Sequence, residues 1–215
     1  MEKYFVSISL ALTVLIASID SYAQNASKFG LKAGINFNNV SKASSINSSN
    51  SQGFMAGLIY SSVNKKVFGY QSELIFSRQG YDFKTSTSLG EVKLDYLLLP
   101  QLMNINITRF VRLQAGGQIA FLVGGKGDST SFNPSSAPDG SRYKIATDYF
   151  NRVLYGFAGG AEIRPFKGLL IGARFNANFN SMLEQKPQGI LPPYVPKNNE
   201  DLKANVFQVY AGYQF

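Results

Sequence analysis

The sequence predicts an all-β fold, an eight-stranded antiparallel up-and-down transmembrane β-barrel, from three observations. Apolar and polar residues alternate with a period of two, which is the pattern of strands with two different faces. Long polar links alternate with short ones along the chain. Charged residues make up only 16% of the 215 residues, against about 25% in soluble domains. The protein therefore has too few charged residues to cover its surface as a soluble domain does.

The first 23 residues are predicted to be a secretory signal peptide. Lys3 precedes an apolar stretch from Tyr4 to Ile19, and Ala23 is a small residue placed just before a cleavage site at Gln24. A membrane-anchoring helix is the alternative, but the stretch is shorter than the roughly 20 apolar residues that cross a bilayer. Residues 24–215 are predicted to form a single barrel domain.

Eight segments show the strand alternation, and the last one shows it most clearly. From Asn205 onward, the odd positions are mainly apolar or aromatic, whereas the even positions include Gln208, Gly212 and Gln214. No helical period competes over a comparable length. In chain order, the predicted strands are 28–40, 52–61, 66–81, 91–106, 110–124, 148–163, 169–180 and 205–215.

The links between these segments predict a membrane location. The links at 62–66, 107–109 and 164–168 are short, whereas those at 41–51, 82–90, 125–147 and 181–202 are long and rich in residues that favour loops. Short turns at one end and long loops at the other are typical of outer-membrane barrels, and a closed barrel satisfies every backbone group in lipid. We therefore predict a location in the outer membrane of a Gram-negative bacterium, with both termini in the periplasm.

The lumen is predicted to be plugged by a network of charged side chains. Eight strands leave an interior just wide enough for side chains to fill, and an unpaired charge buried there would be costly. A proton or ion path through the lumen is the alternative. Arg78 is expected on the lipid face, reaching towards the loop end of its strand. The predicted lumen residues are Lys32, Glu73, Lys93, Asp95, Arg112, Arg152, Glu162 and Arg174.

The outer surface is predicted to carry aromatic girdles and a basic rim. Aromatic residues near strand ends are typical of membrane interfaces; they are Phe29, Tyr60, Tyr96, Tyr149, Phe179, Tyr213 and Phe215. The short turns contain basic residues and no acid, which suits anionic phospholipid head groups, although ordinary solvated turns would explain each residue singly. These basic residues are Lys65, Lys66, Arg109, Arg164 and Lys167.

Several segments resemble one known family of barrels. Phe29–Asn36, Gly53–Leu58, Gln71–Gly80 and Tyr96–Leu102 are similar to the PorT-like outer-membrane β-barrel family, and the resemblance covers essentially all of 28–215. It implies a small integral barrel, and the family's name member assists a protein secretion system. The end of the chain looks like the signal that the outer-membrane insertion machinery reads, with Phe207, Val209, Ala211, Tyr213 and Phe215 at alternate positions.

These observations favour a structural or accessory protein that acts through its extracellular loops. Expected partners are outer-membrane lipid, the insertion machinery and envelope or secretion proteins. A surface adhesin or protective barrel, using the loops 125–147 and 181–202, is the alternative, and a soluble lipocalin-like ligand carrier is a more remote one.

An enzyme is not expected from this sequence. The chain has no Cys and no His, and known barrel enzymes use His beside Ser, Asp or Glu. We predict no catalytic, cofactor-binding or metal-binding residues. Nucleic acid is not an expected partner, because the basic residues are scattered and form no stripe that could follow phosphates.

Overall fold

The computed structural model describes residues 27–41, 49–62, 67–84, 88–131, 142–144, 147–184 and 202–215. The signal peptide, its cleavage site at Ala23 and Gln24, and the basic residues Lys65 and Lys66 lie outside these ranges. Nine strands occur in the described part of the chain. They are β1 (Ser27–Ser41), β2 (Ser49–Ser62), β3 (Phe68–Lys84), β4 (Ser88–Asn106), β5 (Val111–Ser131), β6 (Arg142–Lys144), β7 (Val153–Ile163), β8 (Leu169–Asn178) and β9 (Lys203–Gln214).

Eight of these strands form a closed barrel, which confirms the predicted fold class. Neighbours in the barrel are β1, β2, β3, β4, β5, β7, β8 and β9 in that order, and pairing of β9 with β1 closes the ring. Every pairing is antiparallel. The three residues of β6 pair with the far end of β5 and stand outside the ring.

The alternation of residue types separates an apolar outer surface from the lumen. In β9, for example, Phe207 and Val209 are exposed on the outside, whereas Gln208 and Tyr210 are buried in the lumen. Every barrel strand adds large apolar side chains to the outer belt, as a lipid-facing surface requires. One such residue from each strand is Leu31, Leu58, Leu74, Met103, Ile119, Phe157, Phe175 and Val209.

One end of the barrel carries the short links; we call it the turn end and the opposite one the loop end. Residues 107–110 and 164–168 connect strands at the turn end, and Gly168 adopts a φ of 89° there, in the left-handed region that glycine tolerates. Among the described residues no helix is both long and apolar enough to cross a bilayer.

The strands at the loop end run further than the sequence predicts. The predicted loop 82–90 is mostly strand, because the ladder between β3 and β4 continues from Tyr81 opposite Val92 to Lys84 opposite Leu89. β5 likewise extends to Ser131. β7 begins later than predicted, at Val153, because residues 147–149 form a turn of 3-10 helix.

Strand β4 faces the opposite way to the prediction. Its even-numbered residues, including Leu94 and Tyr96, are completely buried in the lumen, whereas Lys93 and Asp95 lie on the outer side. Apolar residues occupy both faces of this strand, so the alternation of β4 alone could not decide its direction. Pairing with β3 decides it, because Asp95 lies directly opposite the outward-facing Arg78. Tyr96 is therefore not a girdle residue.

Four girdle aromatics at the turn end lie on the outside as expected for an interface. The rings of Phe29 and Tyr60 are 5.1 Å apart, and those of Tyr213 and Phe215 are 5.4 Å apart. At the loop end, Phe179 packs beside Tyr155 with ring centroids 6.4 Å apart. Tyr149 differs from the prediction because it packs against the buried core and does not face the lipid.

Candidate functional site

A network of ion pairs lies at the centre of the lumen, built around Glu73 on β3. Lys32 on β1 places its Nζ 2.6 Å from Glu73 Oε2. Arg174 on β8 donates from Nη1 to Oε2 at 2.6 Å and from Nη2 to Oε1 at 2.8 Å, which is the two-pronged geometry of a strong guanidinium–carboxylate pair. All three side chains are fully buried.

The pair between Glu73 and Arg174 spans the full width of the barrel. Four steps separate β3 from β8 in either direction round the ring, so these two strands are diametrically opposite. Their side chains nevertheless meet at hydrogen-bond distance. Side chains therefore close the lumen at this level, as expected for a barrel of eight strands.

A second acid, Glu162 on β7, balances the remaining positive charge. Tyr210 on β9 places its Oη 3.2 Å from Glu162 Oε1 and 3.2 Å from Gln114 Oε1, and Arg174 Nη2 also donates to that Gln114 oxygen at 2.7 Å. The Tyr210 ring fits here because Gly172 lies against it. A Cβ at Gly172 would come within 2.6 Å of the ring.

We call the set Lys32, Glu73, Gln114, Glu162, Arg174 and Tyr210 the lumen network. It holds two basic and two acidic side chains, so its formal charges cancel. The ammonium group of Lys32 also lies 4.2 Å from the centre of the Tyr210 ring, where a cation is attracted to the ring face. Burial of charge is tolerated here because Glu73 pairs with both cations and Glu162 accepts a hydrogen bond from Tyr210.

Amide side chains extend this closure towards both ends of the barrel. Asn36 donates to Ser77 Oγ at 2.9 Å, and Gln208 donates to Asn36 Oδ1 at 3.0 Å. Towards the turn end, Arg112 donates from Nε to Asn106 Oδ1 at 2.9 Å. Arg112 thus lies at the turn end of the lumen, with amides and not acids as its hydrogen-bond partners.

An apolar plug fills the lumen at the loop end, and sequence reasoning missed it. Phe150, Met182, Leu183 and Leu202 lie outside the barrel strands, yet they are buried in one cluster with lumen residues that include Leu94, Tyr96, Leu98 and Leu154. We call these four residues the loop-end plug. The signal available in the sequence was the occurrence of large apolar residues inside or beside polar links.

Backbone hydrogen bonds hold the loop-end plug in place. The amide of Met182 donates to the carbonyl oxygen of Leu202 at 2.7 Å, and that of Asn151 donates to Met182 at 2.8 Å. The Asn151 side chain donates to the carbonyl oxygens of Ser181 and Leu183. Segments from two different links are therefore tied to each other across the end of the barrel.

Three of the predicted lumen charges lie elsewhere. Lys93 pairs with Glu91 at 2.7 Å and Asp95 with Arg78 at 2.7 Å, on the partly exposed outer side, because β4 faces the other way. Arg152 is exposed and precedes β7, because the chain before β7 turns inward as part of the loop-end plug. The structure brings Lys32, Glu73, Glu162 and Arg174 together.

The residues of the predicted insertion signal lie on the outward face of β9, and the last of them, Phe215, follows the end of the strand. Phe207, Val209, Tyr213 and Phe215 are exposed large apolar residues, and Ala211 shares their face. Recognition of this face by the insertion machinery stays a prediction. In the described part of the chain, no group of three or more His, Cys, Asp or Glu residues could hold a metal ion.

Comparison with known proteins identifies the architecture. The outer membrane protein beta-barrel domain family matches residues 22–184. The chain is similar in fold to Neisserial surface protein A, with a TM-score of 0.53, 10% sequence identity, and coverage of 87% of this chain and 97% of that one. For Ail, the attachment invasion locus protein of Yersinia pestis, the TM-score is 0.48, with 16% identity and coverage of 87% and 98%. No curated protein matches the sequence.

Proposed function

Since the chain belongs to the outer membrane protein beta-barrel domain family, and is an outer-membrane barrel, we propose that it is a non-conducting barrel that works through its long loops. Its role is structural or accessory, as a protein that holds partners at the cell envelope. In this proposal the turn end and both termini face the periplasm, and the loop end faces outward, which is the usual arrangement of such barrels.

The closed lumen is the single observation that supports this proposal. The ion pair between Glu73 and Arg174 joins opposite walls of the barrel, and the loop-end plug buries Phe150 and Leu183 above it. Side chains that cross the lumen in this way are expected to block a passing solute. The outer wall is apolar and faces lipid, so a protein partner on the loop-end side would meet the loops.

The resemblance to PorT-like barrels supports a finer version of the same role. In that version the chain is an accessory protein of secretion or envelope assembly, and its partners are proteins of that machinery. This link depends on the resemblance of Phe29–Asn36 and the other barrel segments, so it depends on the strands and not on the loops.

Shortening two loops tests the proposed role. We expect replacement of 132–141 and of 185–201 by short Gly-Ser links to leave a folded barrel, because neither segment includes a residue of the lumen network or the loop-end plug. Crosslinking in intact outer membranes should then lose the partners captured by the wild-type protein. Capture of the same partners by the shortened barrel would contradict the proposal.

The same variant separates the accessory role from that of an adhesin or protective barrel. If the protein is an adhesin, shortening these loops should reduce attachment to host surfaces or survival in serum. Unchanged attachment and survival, together with lost envelope partners, would favour the accessory role. A matched control is replacement of the turn residues Thr108 and Arg109 by Gly-Ser, which should leave loop-dependent crosslinks unchanged.

A further inference from the structure

Two adjoining cavities at the turn end are lined by basic residues. The first, of about 440 Å³, lies against residues 106–112 and Arg164. The second, of about 420 Å³, lies against Lys28, residues 109–110 and residues 164–168. They share Arg109, Phe110 and Arg164. None of the lining residues is acidic, and the basic ones are Lys28, Arg109, Arg112, Arg164 and Lys167.

Arg164 has hydrogen-bond donors that the described residues do not satisfy. Its Nε and Nη2 atoms are buried and have no hydrogen-bond partner in the part of the chain that the structure describes. The nearest acid is Glu162, whose Oε2 lies 3.5 Å from Nη2, and a separation of that length is not a good hydrogen bond. The Arg164 side chain as a whole is 22% exposed and lines both cavities, so its incompletely paired positive charge attracts an anion placed there.

The fold joins the two turns that carry Arg109 and Arg164. The backbone amide of Arg164 donates to the carbonyl oxygen of Phe110 at 2.7 Å, which ties the two turns together. Arg109 lies over the Phe110 ring, with 4.4 Å between Cζ and the ring centre. Both residues line the two adjoining cavities. Guanidinium groups bind phosphate well because their donors match its oxygens in pairs.

Apolar side chains beside the cavities favour a lipid over a free anion. Ile107, Phe110 and Phe166 are exposed next to the basic residues, and Phe166 is 74% exposed. Leu113 and Ile163 continue this apolar surface along β5 and β7. A phosphate placed between Arg109 and Arg164 would therefore have apolar wall directly beside it, where acyl chains can lie.

We propose that the two cavities form a binding site for an anionic phospholipid of the leaflet at the turn end. The phosphate is bound by Arg109 and Arg164, Lys28 and Lys167 neutralise a charged head group, and the acyl chains lie along Phe110 and Phe166. This site is distinct from the loops of the proposed function. It requires only that the barrel lies in a membrane, whichever way its ends face.

Lipid titration of the purified barrel in detergent, followed by native mass spectrometry, tests this site. We expect phosphatidylglycerol to bind about tenfold or more tightly than phosphatidylcholine with the same acyl chains, since each basic residue near a phosphate contributes about 1 kcal/mol. The double variant Arg109→Gln/Arg164→Gln should lose this preference. The matched control Lys126→Gln/Lys203→Gln, which removes two charges at the loop end, should keep it.

Each result supports or overturns the proposal. Equal affinity of the wild-type protein for the two lipids would overturn it, and so would an equal loss of preference in the control variant. Inorganic phosphate that displaced phosphatidylglycerol at matching concentration would show a free-phosphate site and not a lipid site. Should the double variant not fold, as judged by its heat-modifiable gel band, the wild-type comparison and the phosphate competition still decide. None of these outcomes depends on the loops.

Discussion

Replacing Glu73 by glutamine is expected to lower the free energy of unfolding by about 3–5 kcal/mol. The carboxylate pairs with Lys32 at 2.6 Å and with Arg174 at 2.6 Å, and all three groups are fully buried. Glutamine keeps the size of the side chain but removes its charge. Two buried cations would then share a lumen with too little negative charge. Urea titration of the barrel folded in lipid vesicles, followed by circular dichroism, measures the loss.

Glu91→Gln is the matched control, because it makes the same chemical change in a partly exposed ion pair. Glu91 lies 2.7 Å from Lys93, and both side chains are about one-third exposed. Ion pairs of this kind contribute about 0–1 kcal/mol. Equal losses in Glu73→Gln and Glu91→Gln would contradict the view that the lumen network stabilises the barrel through buried charge.

Replacing Phe150 by alanine is expected to cost about 3–5 kcal/mol, the usual range for a buried phenylalanine. Phe150 is 1% exposed and belongs to the cluster that closes the loop end. Met182 and Leu183 belong to the same buried cluster, so loss of the Phe150 ring should loosen the segment around 182–183 as well. The same urea titration gives the stability, and limited proteolysis should show faster cleavage near that segment.

Phe179→Ala is the matched control for Phe150→Ala. It measures how much stability is lost when an aromatic side chain outside the loop-end plug is removed. Phe179 lies at the same end of the barrel but is 59% exposed on the outer surface, where it packs beside Tyr155. Loss of this aromatic pair should cost about 0.5–1.5 kcal/mol. If Phe150→Ala were no more damaging than Phe179→Ala, the loop-end plug would not be a stabilising element.

The alternation of residue types predicted most of the fold because lipid and lumen demand different side chains. In β8, Ile171 and Phe175 face outward while Arg174 faces the lumen, and the period of two shows this directly. The same rule could not orient β4, where Leu94 and Leu98 face a lumen that is partly apolar. The direction of β4 is set by its pairing with β3, and strand register involves residues far apart in the chain.

It was harder to predict which side chains pair with each other in the lumen than to predict which side chains face the lumen. The odd–even alternation along β3 and β8 identifies Glu73 and Arg174 as inward-facing. Only the closed ring shows that they come from opposite walls of the barrel. Arg152 had the odd–even position of a lumen residue, and it is exposed because it precedes β7, which starts at Val153 and not at 148. The loop-end plug could not be predicted from alternation, since its residues lie in links that have no strand period.

Conductance of the wild-type barrel in a planar lipid bilayer is the most direct test of the closed lumen. The ion pair across the barrel and the loop-end plug predict a flat current trace with no stepwise openings, and no proton flux into vesicles that contain a pH-sensitive dye. Insertion is verified in the same preparation by the heat-modifiable gel band, and a porin serves as the positive control. Reproducible current steps from the folded wild-type protein would contradict the account.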